Sequence, residues 1–231
     1  MMEKKYKLTD ETIQHYGKTL YRIEALRDFG NIKKGDRGGF VEDEDNLSQE
    51  GNCWIYNNAK VFSEAVVSGD ARIKTDAQVY DYAVIEGRAF IGDAARVYEM
   101  AVVSDNAVIR GDSNIHDNAI VEGMAYILDA DISKMDDYIV FKNWWSSGRY
   151  FTWTKSNNMW KVGCFYGTGK QLIAKAYKDS ELSGREYKRI VRYVEAINQP
   201  AKRLNRIHKI VCKLFKIRGL NYDRERKGKS L

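Results

Sequence analysis

Thirteen consecutive hexads, from Asn52 to Asp129, carry Val or Ile at their fourth position: Ile55, Val61, Val67, Ile73, Val79, Ile85, Ile91, Val97, Val103, Ile109, Ile115, Val121 and Ile127. Two residues before each stands a small side chain, Cys53 in the first hexad, Ser113 in the eleventh and Ala in the rest. A strict six-residue period matches neither an α-helix nor a plain alternating strand. A chain that makes one short strand and one corner every six residues, with three sides per turn, stacks into a triangular parallel β-coil. The branched residues then fill its axis, and the Ala column sits near the corners. Corner pairs such as Asn57-Asn58, Gly69-Asp70, Gly87-Arg88, Asp105-Asn106 and Gly111-Asp112 tolerate the positive φ of a tight corner. At three hexads per turn the repeat predicts a little over four coils, about 20 Å tall at ~4.8 Å between paired strands.

This pattern resembles the left-handed parallel β-helix of hexapeptide-repeat proteins, and the left hand is implied by that resemblance, because ordinary parallel crossovers are right-handed. The strings Gly38-Gly39-Phe40-Val41, Asn46-Leu47-Ser48 and Gly51-Asn52-Cys53-Trp54-Ile55 resemble the opening segment of a bacterial and phage hexapeptide-repeat family with no established activity. The resemblance covers about residues 20–130. The expected fold is therefore mainly β: a β-helix of about 4–5 coils over residues 46–135, an N-terminal cap over 1–45, and a small α+β domain plus a basic helix towards the C-terminus. A cap is expected because an open first coil exposes a row of unpaired backbone groups that templates aggregation. Trp54 is expected to help seal that end.

Residues 18 apart should lie above one another on one flat face, which yields two outward ladders. Phe62, Tyr80, Tyr98 and His116 stack on one face, flanked by Lys60, Gln78, Arg96 and Asn114. Val66, Val84, Val102 and Ile120 form an apolar rail on the next. The third face mixes Trp54, Phe90, Val108 and Tyr126 with Arg72, Lys74 and Arg110. An exposed aliphatic rail implies a cover, either a second subunit of a dimeric or trimeric homo-oligomer or the chain's own C-terminal helices. The rail and Phe62, Tyr80 and Tyr98 are the expected interface residues.

Beyond Met135 the period disappears. Runs around Tyr138–Trp145, Arg149–Thr154 and Met159–Phe165, separated by Ser/Gly and Asn/Asn turns, predict a three-stranded meander. Gly167-Thr168-Gly169-Lys170 opens a first helix, and Ser183-Gly184-Arg185-Glu186 has capping-box spacing before a second, giving an α+β module over 136–199. Residues 200–231 read as a basic amphipathic helix, with Leu204, Ile207, Val211 and Leu214 on one stripe and Lys202, Arg206, Lys209, Lys213 and Lys216 on another, followed by a tail of disordered composition.

Charge divides along the chain. Residues 46–135 carry seven Lys/Arg against fourteen Asp/Glu, a net of −7, whereas residues 201–231 carry eleven against two, a net of +9. The basic segment points to a polyanion partner, and nucleic-acid contact is one reading of the C-terminal region, since Trp144, Trp145 and Trp153 with Arg149 could stack bases, although a module this small is expected to use such aromatics for its core. The first residues are not apolar, no stretch of 18 apolar residues occurs, and the three cysteines, Cys53, Cys164 and Cys212, fit no metal-ligand spacing. A cytosolic protein that contacts no membrane and holds reduced thiols is expected, with no metal and no cofactor.

Chemistry is sparse in this sequence. Many hexapeptide-repeat proteins are acyltransferases that bind acyl-coenzyme A between coils and use a His as general base, which is what the resemblance implies for His116. Their zinc-dependent relatives need three converging histidines, whereas His15, His116 and His208 fall in three separate regions. Gly167-Thr168-Gly169-Lys170 lacks the spacing of a P-loop. The coils carry no loop excursion to close a site. The leading expectation is thus a non-enzymatic, phage-type binding or scaffold protein that occupies the surface of a host protein or defence complex. The alternatives are a hexapeptide-repeat acyltransferase and an RNA- or DNA-binding protein.

Overall fold

Each aliphatic hexad position becomes an inward strand residue. In the computed structural model, which describes residues 4–198, the hexads form strands of two or three residues arranged as the three sides of a solenoid of about five turns. Two strands precede it, β1 (Tyr6–His15) and β2 (Lys18–Ala25), paired antiparallel. A third, β3 (Arg37–Val41), pairs antiparallel with β2 and parallel with the first strand of the ladder face. The ladder face continues through Lys60–Val61, Gln78–Val79, Arg96–Val97, Asn114–Ile115 and Asp131–Ile132. The rail face holds Val66–Val67, Val84–Ile85, Val102–Val103 and Ile120–Val121, and the third face runs from Trp54–Ile55 to Tyr126–Leu128. All thirteen aliphatic residues are fully buried along the axis with the Ala column. Each such Val or Ile contributes about 1.5–3 kcal/mol of hydrophobic stabilisation. Every corner pair named above turns through a positive φ at its first residue.

The coils have a direction. Within the strand pairs bonds run both ways, as parallel ladders require, but the N–H groups at the strand flanks donate to carbonyls of the following coil, as in Trp54 N to Ala71 O (3.0 Å), Lys60 N to Ala77 O (3.0 Å) and Val66 N to Ala83 O (3.0 Å). The first coil is therefore left with carbonyls that no preceding coil serves, and the last coil with N–H groups that no following coil accepts. Both deficits are met, and with opposite chemistry. At the N-terminal end the partners are donors: β3 supplies Phe40 N to Ala59 O and Glu42 N to Val61 O. The Tyr6 hydroxyl donates to Glu44 O and Leu47 O, and the buried Lys5 ammonium donates to Glu50 O and Cys53 O. Tyr6 and Phe29 also cover Trp54 edge-on, at 6.3 and 5.4 Å between ring centres, leaving it 1% exposed.

At the far end these N–H groups meet acceptors, while Asn157 Nδ2 and the Tyr166 hydroxyl donate to the carbonyls of Leu128 and Asp129 beside them. Tyr138 Oη accepts from Glu122 N, Thr152 Oγ1 from Tyr126 N, Ser156 Oγ from Asp131 N and the Asp137 carboxylate from Ser133 N. Thr152 and Ser156 belong to an antiparallel sheet and its first tight turn. This sheet has four strands, Tyr138–Lys142, Tyr150–Thr154, Met159–Val162 and Phe165–Gly167, one more than the three-stranded meander expected. The fourth is three residues long, too short for a period to betray it, and pairs back through Val162 and Phe165.

Two helices follow, α1 (Gly169–Asp179) and α2 (Glu181–Ile197). The predicted capping box at Ser183 falls one turn late: Ser180 is the N-cap, its Oγ accepting from Ser183 N at 3.1 Å. The chain divides into two compact units after Lys175. Among the described residues no helix is long and apolar enough to cross a membrane. The expected basic helix, with Lys202, Arg206, Lys209, Lys213 and Lys216, lies outside the described residues, as does Cys212.

The two end chemistries make a matched prediction. Tyr6→Phe removes the hydroxyl shared by Glu44 O and Leu47 O, Thr152→Val removes the acceptor of Tyr126 N, and each should lower unfolding free energy by about 1–3 kcal/mol. The exposed Tyr82→Phe should change it by less than about 0.5 kcal/mol. Urea denaturation decides: three indistinguishable midpoints would mean that solvent already satisfies both ends.

Candidate functional site

The ladder face brings four rings into register. Its strands pair so that Lys60, Gln78, Arg96 and Asn114 are successive partners, which places the residue two further along each strand one coil above the last. Strand spacing of ~4.8 Å is close to the distance at which offset rings stack. Phe62, Tyr80, Tyr98 and His116 accordingly stack at 5.1, 5.1 and 5.2 Å between centres, within 8° of parallel. His15, expected to stand alone, closes the lower end edge-on to Phe62 at 5.3 Å and contacts Gln78 Oε1 at 3.0 Å. Burial and the neighbouring Tyr98 and Asp81 push the Tyr80 phenol up to about 12. Tyr98 is raised too, by burial first and then by Asp131 and Glu99.

His116 ends the ladder in a ring of carboxylates. Its Nε2 lies 3.1 Å from Asp131 Oδ1, and its Nδ1 lies 3.5 Å from Asp117 Oδ2 and 4.0 Å from Glu99 Oε2. Asp131 arrives there through a slip in the repeat. Ile127 pairs with Ile109 at the regular spacing of 18, but Ile132 pairs with Ile115 one residue early, so Asp131 stands opposite Asn114 on the ladder face. Glu99 and Asp117 occupy the corner that leads to the rail face, where both backbones turn through positive φ. There, carboxylates of one coil accept N–H groups of the next: Asp81 from Glu99 N at 3.2 Å and Glu99 from Asp117 N at 2.6 Å.

This geometry suits proton transfer. With Nε2–H donated to Asp131, Nδ1 carries the lone pair and faces the corner, and Asp131 stabilises the imidazolium that forms when Nδ1 takes a proton. The ring is fixed by stacking while its side chain remains 20% exposed. Glu99, His116 and Asp117 also offer three ligand atoms within 4.8 Å of one another, a set of the kind a divalent cation takes. No sequence spacing announced that set, because Glu99 reaches His116 across one coil.

The other expected site residues fall elsewhere. Val66, Val84, Val102 and Ile120 do form one in-register rail, of which Val66 and Ile120 are exposed. Trp144, Trp145 and Arg149 lie in the turn between the first two strands of the four-stranded sheet. There Trp144 stands 73% exposed against Trp145, whereas Trp153 is buried. An acidic cleft of about 330 Å³ opens near the first coil, lined by Glu42, Asp43, Asp45 and Glu64 around Lys18. Sequence reasoning missed Glu99, Asp117 and Asp131. The signal for the last was present, since Ala130-Asp131-Ile132 repeats the Ala-x-Ile pattern one residue out of phase.

Comparison with known proteins gives one partial relative. A protein of Escherichia coli (strain K12) named as the uncharacterized acetyltransferase YdcK is 49% identical over 55 residues, 23% of this chain and 17% of the relative. The matched segment thus spans about a sixth of that protein. No family profile matches the chain. The solenoid and this relative together fit the left-handed β-helix that the repeat resembles. They overturn the expectation of a non-enzymatic binding or scaffold protein, since the similarity is to a protein named as an enzyme and fits the acyltransferase alternative. That expectation weighed the uninterrupted coils too heavily. A base on a flat face needs no loop excursion to be held in place when a ring stack and a carboxylate fix it.

The half-buried Tyr80 phenol predicts an alkaline limit to stability. A phenol that ionises at about 10 in the unfolded chain but near 12 when folded holds its proton more tightly in the native state, so its contribution is intact below about pH 10 and is lost as pH rises through 12. Tyr80→Phe should flatten the fall in melting temperature between about pH 10 and 12. An unchanged slope would show that the ring stack does not shelter that hydroxyl.

Proposed function

We propose that the protein is an acyltransferase of the hexapeptide-repeat type, with His116 as general base and acyl-coenzyme A as donor. The observation that carries this reading is the 49% identity to a protein named as an acetyltransferase. The His116 geometry supports it independently, because the imidazole has one nitrogen held by Asp131 and the other turned towards an exposed corner. Nδ1 takes the proton of the acceptor as it attacks the thioester carbonyl; the C–S bond breaks and the coenzyme leaves as its thiol. Positioned proton transfer of this kind contributes about 100-fold or more to the rate.

The donor's phosphates need cations, and the coil as a whole is acidic. Arg96 and Lys60 stand on the same face as the ladder. The net +9 of residues 201–231 favours the same polyanion. A cytosolic location, where acyl-coenzyme A is supplied, goes with this reading. In it β1, β2 and β3 serve as the cap of the first coil, as their hydrogen bonds to its carbonyls suggest.

Calorimetry with acetyl-coenzyme A and a thiol-release assay test the proposal. Binding is expected, with His116→Ala lowering turnover about 100-fold while the circular dichroism spectrum stays that of the folded protein and the melting temperature falls only by the few degrees that loss of one stacked ring costs. Absence of binding at millimolar acetyl-coenzyme A, or full thiol release by His116→Ala, would remove the reading.

A further inference from the structure

Resting on the acyltransferase reading, we infer that the acyl acceptor is a cationic amine, so that the product is an amide rather than an ester. The nitrogen that faces the acceptor does not stand in neutral surroundings. Asp117 Oδ2 is 3.5 Å and Glu99 Oε2 4.0 Å from Nδ1, and both side chains are open to solvent, at 61% and 46%. An incoming ammonium can therefore pair with either carboxylate while its nitrogen lies within reach of the base. Asp131, on the other side of the ring, adds a third negative charge without occupying that approach.

The field extends well beyond His116. The same corner column carries Asp81 one coil below Glu99, bonded through the Glu99 N–H, and ends at the acidic cleft around Glu42 and Glu64. With −7 over residues 46–135 the coil attracts cations from a distance, and the carboxylates of this corner, away from Arg96 and Lys60, disfavour acceptors that bring further negative charge to it. A neutral alcohol gains nothing from the corner. Glu99 and Asp117 act here as binding residues that hold the acceptor, not as the base.

The step balances simply. The ammonium binds charged against the carboxylates, then loses one proton to solvent, and the free amine attacks the thioester carbonyl. A C–N bond forms, the C–S bond breaks, His116 takes the second nitrogen proton and passes it to the departing thiolate.

The test supplies the full chain with labelled acetyl-coenzyme A and a protein-free small-molecule extract of bacterial cells, then treats the products with mild alkaline hydroxylamine. Amides keep their label; esters lose it. We expect retained label, with Glu99→Gln and Asp117→Asn together raising the KM for the amine about five- to tenfold at nearly unchanged kcat, as loss of exposed ion pairing should. Gln keeps an oxygen for the Asp117 N–H, so the corner itself should stand. Label released by hydroxylamine, or a KM indifferent to the double variant, would overturn the amine assignment and leave the acyltransferase standing. Failure of acetyl-coenzyme A to bind at all would overturn both.

Discussion

A parallel β-coil leaves unpaired backbone groups at each of its two ends, and this molecule is organised around satisfying both. The N–H groups that flank each short strand donate forward to the next coil, so carbonyls of the first coil and N–H groups of the last are among the groups left unmet. A buried orphan of either kind costs about 1–3 kcal/mol, and several at once would exceed much of the stability of an ordinary domain. The chain answers each end with the chemistry it lacks. Lys5 and Tyr6 bring hydrogens to the first coil, whereas Thr152, Ser156 and Asp137 bring oxygens to the last. Burying the Lys5 ammonium among carbonyls depresses its pKa through desolvation, and it stays hydrogen-bonded throughout.

The candidate site grows out of the same regularity and one break in it. Strict 18-residue stacking lines up Phe62, Tyr80, Tyr98 and His116, so the imidazole inherits its orientation from the three rings below it. Corner geometry demands acceptors for the next coil's N–H groups, and Asp81 and Glu99 meet that demand with carboxylates that also charge the edge of the face. The lost residue before Ile132 then places Asp131 beside the ring. Structural needs and chemical opportunity thus share the same side chains, which is why Glu99 can brace a corner and still present an oxygen near His116.

Much of the solenoid was legible because its period translates directly into space. The spacing of Val61 and Val79 gives both their burial and their pairing, and the ring column follows from the same arithmetic. What escaped was structure without a period. β1 carries polar residues through its middle, with Thr9, Asp10, Glu11 and Thr12 facing largely outward, so neither alternation nor an apolar run marks it as a strand. Lys5 reads as a surface lysine until Glu50 and Cys53 are placed beside it. The partners of His116 were hidden for two different reasons. Glu99 is a corner residue one coil away, and Asp131 lies beyond the point at which the strict hexad ends.

The central claim is that the Nδ1 side of His116 is where chemistry happens. The most direct measurement is a crystal structure of the protein with a non-hydrolysable acetyl-coenzyme A analogue. The account predicts the analogue's carbonyl on the ladder face beside the Glu99–Asp117 corner, with Nδ1 free to face the acceptor and Nε2 still on Asp131. An analogue bound on another surface, or a His116 ring turned away from Asp131 with the carbonyl out of its reach, would contradict it.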